Sequence, residues 1–230
     1  MNESATIEKV VPYALLGMTV VTGVVDAVSF LSLGRVFTAN MTGNIVFLAF
    51  ATAHVSGLSV GRSLTALLAF LAGAILGGRV MARAGANSQI RFAAQAVLLE
   101  VTFLFAASFC SIGYRGDLLV HSFQPFAMIA LTALAMGTRN AAVRKLAIPD
   151  LTTTVLTLTI TGIGADSSLT NGNNPRLARR VASVAAMFLG AALGAFVIHY
   201  SISGALWLAS AISAACGVVL FRSGPTPDKR

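Results

Sequence analysis

Phe37-Thr38-Ala39-Asn40-Met41-Thr42-Gly43-Asn44 lies between two long apolar runs, and Thr152-Thr153-Thr154-Val155-Leu156-Thr157-Leu158-Thr159 repeats the theme, with Thr157 standing 115 positions after Thr42. Hydroxyl, amide and backbone groups are costly in apolar surroundings unless they are paired or line a cavity. Two such clusters in otherwise apolar sequence mark the polar interior of a membrane protein and the places where its helices break.

The surrounding composition sets the class. Of the 230 residues, 56% are hydrophobic and 10% charged, against about 25% charged in soluble domains, and the mean hydropathy is +0.82. The expected fold is all-α, a polytopic membrane helix bundle forming one integral membrane domain over 1–230, with the lipid bilayer as its surroundings. Its length allows roughly six to eight crossings of about 20 residues each. The first apolar run is too long for a signal-peptide core and lacks an Ala-x-Ala cleavage pattern, so it is expected to stay attached. The net charge of +8 sits at the ends of apolar segments rather than in one patch, which argues for topology and against a nucleic-acid partner. Cys110 and Cys216 have no CxxC or histidine neighbour and read as small packing residues.

Apolar runs near 20 residues predict helices over 11–33, 63–82, 92–112, 123–143, 178–199 and 202–221. Two shorter runs, 45–53 and 155–163, each follow a polar cluster and read as re-entrant or broken helices. Charge favours this count. With six crossings and a cytoplasmic N-terminus, 13 Lys and Arg fall inside and only Arg35, Arg62 and Arg115 outside; if both short segments crossed, the split would be 9 against 7. Eight crossings stay open as the alternative. Both termini are then cytoplasmic, and the tail 223–230, with two prolines and mixed charge, is expected to be disordered.

The halves 11–112 and 123–221 echo one another. Val25-Asp26-Ala27 matches Arg139-Asn140-Ala141, and Gly73-Ala74-Ile75-Leu76-Gly77 matches Gly190-Ala191-Ala192-Leu193-Gly194, with 113–124 as linker. Three crossings per half make the second copy an inverted repeat. The paired glycines are small-xxx-small contacts for close helix packing.

The candidate site residues follow from this layout. Thr19, Thr22, Asp26 and Ser29 share one helix face. Asp26 reads either as an ion, proton or substrate group or as a structural carboxylate paired with Arg139 or Arg35. About seven extended residues and about 14 helical ones cover the same roughly 20 Å, which would bring Thr42 and Gly43, beside Asn40 and Asn44, near the membrane midplane. Thr153, Thr154 and Thr157 would reach that depth from the other side, and unpaired N–H groups at two half-helix starts would make a slightly positive pocket. The plainer alternative is that Thr and Asn cap a helix and Gly permits a close crossing. Arg139 and Asn140 are candidates to grip an anion, while Arg144 and Lys145 read as interfacial. Glu100 is a weaker version of Asp26, directed to another helix or protomer, and His54, His121 and His199 read as interfacial.

The run Gly34-Arg35-Val36-Phe37-Thr38-Ala39-Asn40-Met41-Thr42-Gly43-Asn44 after Asp26, the later Gly137-Thr138-Arg139-Asn140-Ala141, and the threonines at 153, 154 and 157 together resemble the YoaK-like family of small bacterial inner-membrane proteins. The likeness covers nearly the whole chain. It implies a bacterial inner-membrane location and about six spans, and no established biochemical activity. Two positions depart from the family pattern: Arg139 stands where Gln is expected and Leu158 where Gly is usual.

No HExxH, CxxC pair, G-x-S-x-G, Walker loop or Rossmann glycine motif is present. The expectation is therefore a non-enzyme with no metal and no cofactor. The leading functional reading is a small transporter or permease for a small polar solute or ion. The alternative is a non-transporting membrane protein that binds a lipid or a partner protein, its polar clusters being structural. Whether the helices also pack between copies, as a homo-oligomer, spacing alone leaves open.

Overall fold

A computed structural model describes residues 10–83, 89–114, 116 and 123–223. All regular structure among the described residues is helical: α1 (Val11–Ser32), α2 (Met41–Thr52), α3 (Val60–Ala82), α4 (Gln89–Cys110), α5 (Phe123–Leu146), α6 (Thr157–Ala165), a 3-10 turn (Ser168–Thr170), α7 (Leu177–Ile198) and α8 (Ile202–Ser223). Six of these, all but α2 and α6, are long and apolar enough to cross a membrane. At 1.5 Å per residue their 22 to 24 residues span about 33–36 Å, enough for a hydrocarbon core of about 30 Å. The long helices match the runs predicted from hydropathy to within a few residues. The short ones shift: α2 begins at Met41, where Asn40 accepts from the Gly43 N–H at 3.4 Å, and α6 ends at Ala165 rather than 163. Ser223 belongs to α8 rather than to a tail, and Phe123 and Gln124 belong to α5 rather than to the linker; residues 224–230 and most of the linker lie outside the described residues.

Close contacts fix the relative direction of the spans. Gly73 and Gly77 of α3 lie on the backbone of Leu134 and Thr138 of α5, so an added Cβ would come within 2.2 and 2.3 Å of those carbonyl oxygens. Gly190 and Gly194 of α7 lie in the same way on Val20 and Val24 of α1, with gaps of 2.2 Å to Val20 O and 2.9 Å to Val24 Cα. Numbers rise together in both pairs, so α3 runs parallel to α5 and α7 parallel to α1. Tyr114 Oη donates to Ser32 O (3.0 Å), Gln124 Nε2 to Cys110 O (2.6 Å), and Ser111 and Ser203 bond each other. The end of α1, the end of α4 and the start of α5 and α8 therefore share one end of the bundle. It follows that α3 starts where α1 stops, and α7 starts where α5 stops. The segment carrying α2 therefore enters and leaves by one end of the bundle and the segment carrying α6 by the opposite end, which decides for six crossings over eight.

Each reversal uses left-handed backbone. Gly34 (φ +93°) and Arg35 (+56°) turn the chain after α1, and Ala147 (+50°) and Asp150 (+66°) do so after α5. The most buried spans are α1 and α5. Helices α4 and α8 pack on each other and on these two, α3 and α7 flank them, and α2 and α6 touch chiefly α3 and α7 respectively.

Candidate functional site: two chain breaks and a shared cavity

The first break is held by side chains nearby in sequence. Asp26 Oδ1 accepts the N–H groups of Thr38 (3.2 Å) and Ala39 (3.0 Å). Asn44 sits across the peptide groups of Phe37, accepting from its N–H at 2.9 Å and donating to its carbonyl. Phe30, Phe37 and Phe47 stack with ring centroids 5.1–6.1 Å apart. The Phe37 ring also explains Gly43, where a Cβ would stand 2.9 Å from it.

The second break is held partly from the other half. Asn140 Nδ2 donates to Thr154 Oγ1 at 2.9 Å, and Thr22 Oγ1 of α1 lies 2.8 Å from Thr153 O. Thr153 has φ +62°, a strained conformation for a β-branched residue, and is fully buried. No side chain caps α6 at Leu156.

Between these breaks lies a charged pair enclosed by protein. Arg139 and Glu100 are both 0% exposed, with Nη1 3.1 Å from Oε1. Arg139 also donates to Met18 O (2.9 Å) and to Thr22 Oγ1, and Ser213 Oγ donates to Glu100 Oε1 (2.9 Å). Glu100 is thus the partner of Arg139, and Asp26 is bound to backbone N–H groups instead of to Arg139 or Arg35. The expectation of an Asp26–arginine pair is corrected. The two backbone donors satisfy a carboxylate locally, whereas Glu100 faces Arg139 directly from α4. The expectation that Arg139 grips a substrate anion meets the same fact, since its charge is already matched inside the bundle.

The ten predicted site residues divide accordingly. Asn40, Thr42, Gly43, Thr154 and Thr157 line one cavity of about 310 Å³, together with Val46, Val155 and Leu156. Asn140 and Thr154 line a second, of about 410 Å³, with Arg144, Asp150 and Thr152. Thr154 and Val155 form a wall of both. Asp26 and Asn44 are spent on backbone groups of the first break, Arg139 on Glu100, Met18 O and Thr22, and Thr153 is held through its carbonyl by Thr22. The hydroxyls of Thr38 and Thr153, 115 positions apart, are buried without a partner.

A residue set not singled out from sequence centres on Asp150, which lines the second cavity. Asp150 pairs with Arg176 (2.6 Å) and Arg180 (3.1 Å), and Arg180 also reaches Asp166 (2.8 Å) and the Gly162 carbonyl (2.6 Å). Partial burial pushes the Asp150 carboxyl up, but the hydrogen bonds and charges of Arg176 and Arg180 outweigh it and hold the group below its ordinary range. The sequence signal was an acidic residue just after α5 and three arginines, Arg176, Arg179 and Arg180, at the start of α7. Among the described residues no group of His, Cys, Asp and Glu is arranged to hold a metal ion.

Six spans, two re-entrant short helices and a cavity between their starts define a multi-pass α-helical membrane protein. The chain belongs to the family described as "Protein of unknown function (DUF1275)", whose family model matches residues 14–219. It is 38% identical over 146 residues to the "UPF0700 transmembrane protein YoaK" of Bacillus subtilis (strain 168), a match covering 64% of this chain and 62% of that protein. The matched region thus spans less than two thirds of the relative's length. No solved structure matches the chain. The resemblance carried by Gly34–Asn44 and the threonines of the second cluster is borne out.

Proposed function

We propose that this chain is a small transporter or permease whose substrate passes the meeting point of α2 and α6. The observation that carries this reading is the cavity of about 310 Å³ lined by Asn40, Thr42 and Gly43 from one break and by Thr154–Thr157 from the other. Groups so distant in sequence converge there, and the shared wall at Thr154 and Val155 separates it from the cavity that reaches Arg144 and Asp150 near one end. The starts of both short helices, Thr42 and Gly43 of α2 and Thr157 of α6, line the space, and helix starts favour negative over positive charge. With Asp26 bound to backbone N–H groups and Arg139 matched by Glu100, the proposed ligand is a small neutral or anionic polar solute rather than a cation.

The proposed architecture is an inverted repeat. Its support is the exchange of partners between halves: α1 lies on α7 as α5 lies on α3, with glycines at matched positions in both contacts. The proposed setting is the bacterial inner membrane with both termini cytoplasmic, supported by basic residues Arg79, Arg83, Arg91, Arg144, Lys145, Arg176, Arg179 and Arg222 at one end against Arg35 and Arg62 at the other. No catalytic role, cofactor or nucleic-acid partner is proposed.

Uptake of neutral and anionic polar solutes into proteoliposomes tests the reading. Thr42→Val combined with Thr157→Val is expected to lower flux roughly tenfold, the equivalent of one or two lost hydrogen bonds. Wild-type flux in that variant removes these hydroxyls from the path. The second reading, a non-transporting protein that binds lipid or a partner, is favoured by the closed hydrogen bonds of Asp26 and Asn44. It predicts no flux for any solute tested.

A further inference from the structure

Helices α4 and α8 run antiparallel, since Ser111, just past the end of α4, bonds Ser203 at the start of α8. The start of α4 and the end of α8 therefore meet at the other end of the bundle, where Arg91 and Arg222 stand. Between them the two helices leave a groove of about 300 Å³. Its floor is low: Ala94 and Val97 are buried, and at Gly217 an added Cβ would come within 3.0 Å of Val97 Cγ1. Its walls are tall, because the large side chains of Leu98, Val218 and Phe221 are each more than half exposed. The lining is apolar except for Gln95 and Arg222, both on the side of the groove nearest that end.

The groove thus asks for a narrow apolar body with a negative charge at one end. Arg91, four residues before Gln95, shares its face of α4 one turn nearer the end, so two guanidinium groups and an amide stand at the mouth. No carboxylate among the described residues pairs with Arg91 or Arg222. Asp26 is taken by backbone N–H groups, Glu100 by Arg139, and Asp150 and Asp166 by the arginines at the start of α7. A second copy would bring the same committed carboxylates, so the described residues of the chain itself do not supply the missing charge.

We propose that the α4/α8 groove holds an acyl chain of an anionic phospholipid, whose headgroup is bound by Arg222 and Arg91 with Gln95 as a further donor. Arg222 lies in the last turn of α8, at the level where headgroups meet a spanning helix and where basic pockets between helices select anionic lipid. The inference needs only the membrane setting and does not depend on transport.

Quenching of a reporter tryptophan by brominated acyl chains tests it in bilayers, with Trp207→Phe removing the native indole. Leu98→Trp puts the reporter on the groove wall, and Phe188→Trp on α7 is the control on another exposed face. The two lie nine and eleven residues from helix starts at the same end of the bundle. At equal mole fractions, the preference for brominated phosphatidylglycerol over brominated phosphatidylcholine is expected to be roughly fivefold greater at Leu98→Trp than at Phe188→Trp, the pull of about one basic residue on an anionic headgroup. Arg91→Gln with Arg222→Gln should lower it to the control value, while quenching by both lipids persists and reports an intact, inserted fold. Equal preference at the two reporters overturns the proposal, as does a preference that survives the double substitution. Absence of quenching by either lipid at Leu98→Trp alone also overturns it, because protein would then cover the groove. So does loss of the preference when glycerol 3-phosphate is added to the water phase, since a headgroup without an acyl chain would then suffice.

Discussion

Before α2, the Asp26 carboxylate takes two backbone N–H groups while Asn44 bonds Phe37 through both its N–H and its carbonyl. Before α6, the Asn140 amide reaches only the Thr154 hydroxyl, and the remaining hold comes from Thr22 in the other half, itself gripped by Arg139. The first break is thus fastened by its own neighbourhood, and the second depends on the assembly of both halves around the Arg139–Glu100 pair. Two segments of similar outline can be expected to loosen under different insults. That difference also bears on the cavity they share, because Thr154 and Val155 belong to the dependent side.

The largest effect should come from Arg139→Met. It leaves Glu100 buried without a countercharge and releases Thr22, and removal of one member of a buried pair costs about 3–5 kcal/mol. Thermal unfolding in lipid nanodiscs should show that loss, and adding Glu100→Gln should restore most of it. Hydrogen exchange should rise over 147–156 while 33–40 stays protected. Equal loosening of both segments would break the comparison.

Asp26→Ala should act in the opposite place and less strongly. One charge-assisted hydrogen bond is worth about 1.5–3 kcal/mol, and because both N–H groups share the single oxygen Oδ1 at 3.2 and 3.0 Å the pair is expected to count as little more than one. Exchange should rise over 33–40 and leave 147–156 unchanged, and Asp26→Asn, which keeps an acceptor oxygen, should be milder. If Asp26→Ala instead speeds exchange at 147–156, the first break is not locally fastened.

The smallest effect should come from acid. Asp150 is held below its ordinary range in the folded protein, so its contribution is present above the unfolded carboxylate pKa of about 3.9. It fades only as pH falls through that value and the lower folded one. A stability profile from pH 6 downward should therefore differ between wild type and Asp150→Asn above about pH 4 and converge below it. A constant gap across that range would show that the Asp150 charge plays no part.

How far the sequence alone could be read differs by element. The six spans were legible because about 20 apolar residues in succession leave little choice but to cross a bilayer. The two short helices were legible from polar clusters beside runs too short to span, and the charge split favoured re-entry before the parallel contacts at Gly73/Leu134 and Gly190/Val20 decided it. Half of the site was not legible. Asn40, Thr42, Gly43, Thr154 and Thr157 do line one cavity, but Asp26 and Asn44 hold backbone, and Arg139 turns to Glu100. Spacing tells which residues share a helix face, and it cannot tell which carboxylate of another helix stands opposite an arginine 39 positions away. The arginines around Asp150 were counted as topology signals, while their convergence on one carboxylate needs the chain reversal after α5.

Membership of the membrane class, the number of spans and the position of both breaks are consequences of local composition, since the cost of placing polar groups in hydrocarbon is decided residue by residue. The pairing of Arg139 with Glu100, the backbone clamp of Asp26 and the cavity shared by the starts of α2 and α6 belong to the tertiary structure. They depend on which helices lie side by side, and glycine contacts between distant helices, such as α3 on α5 and α7 on α1, set that arrangement.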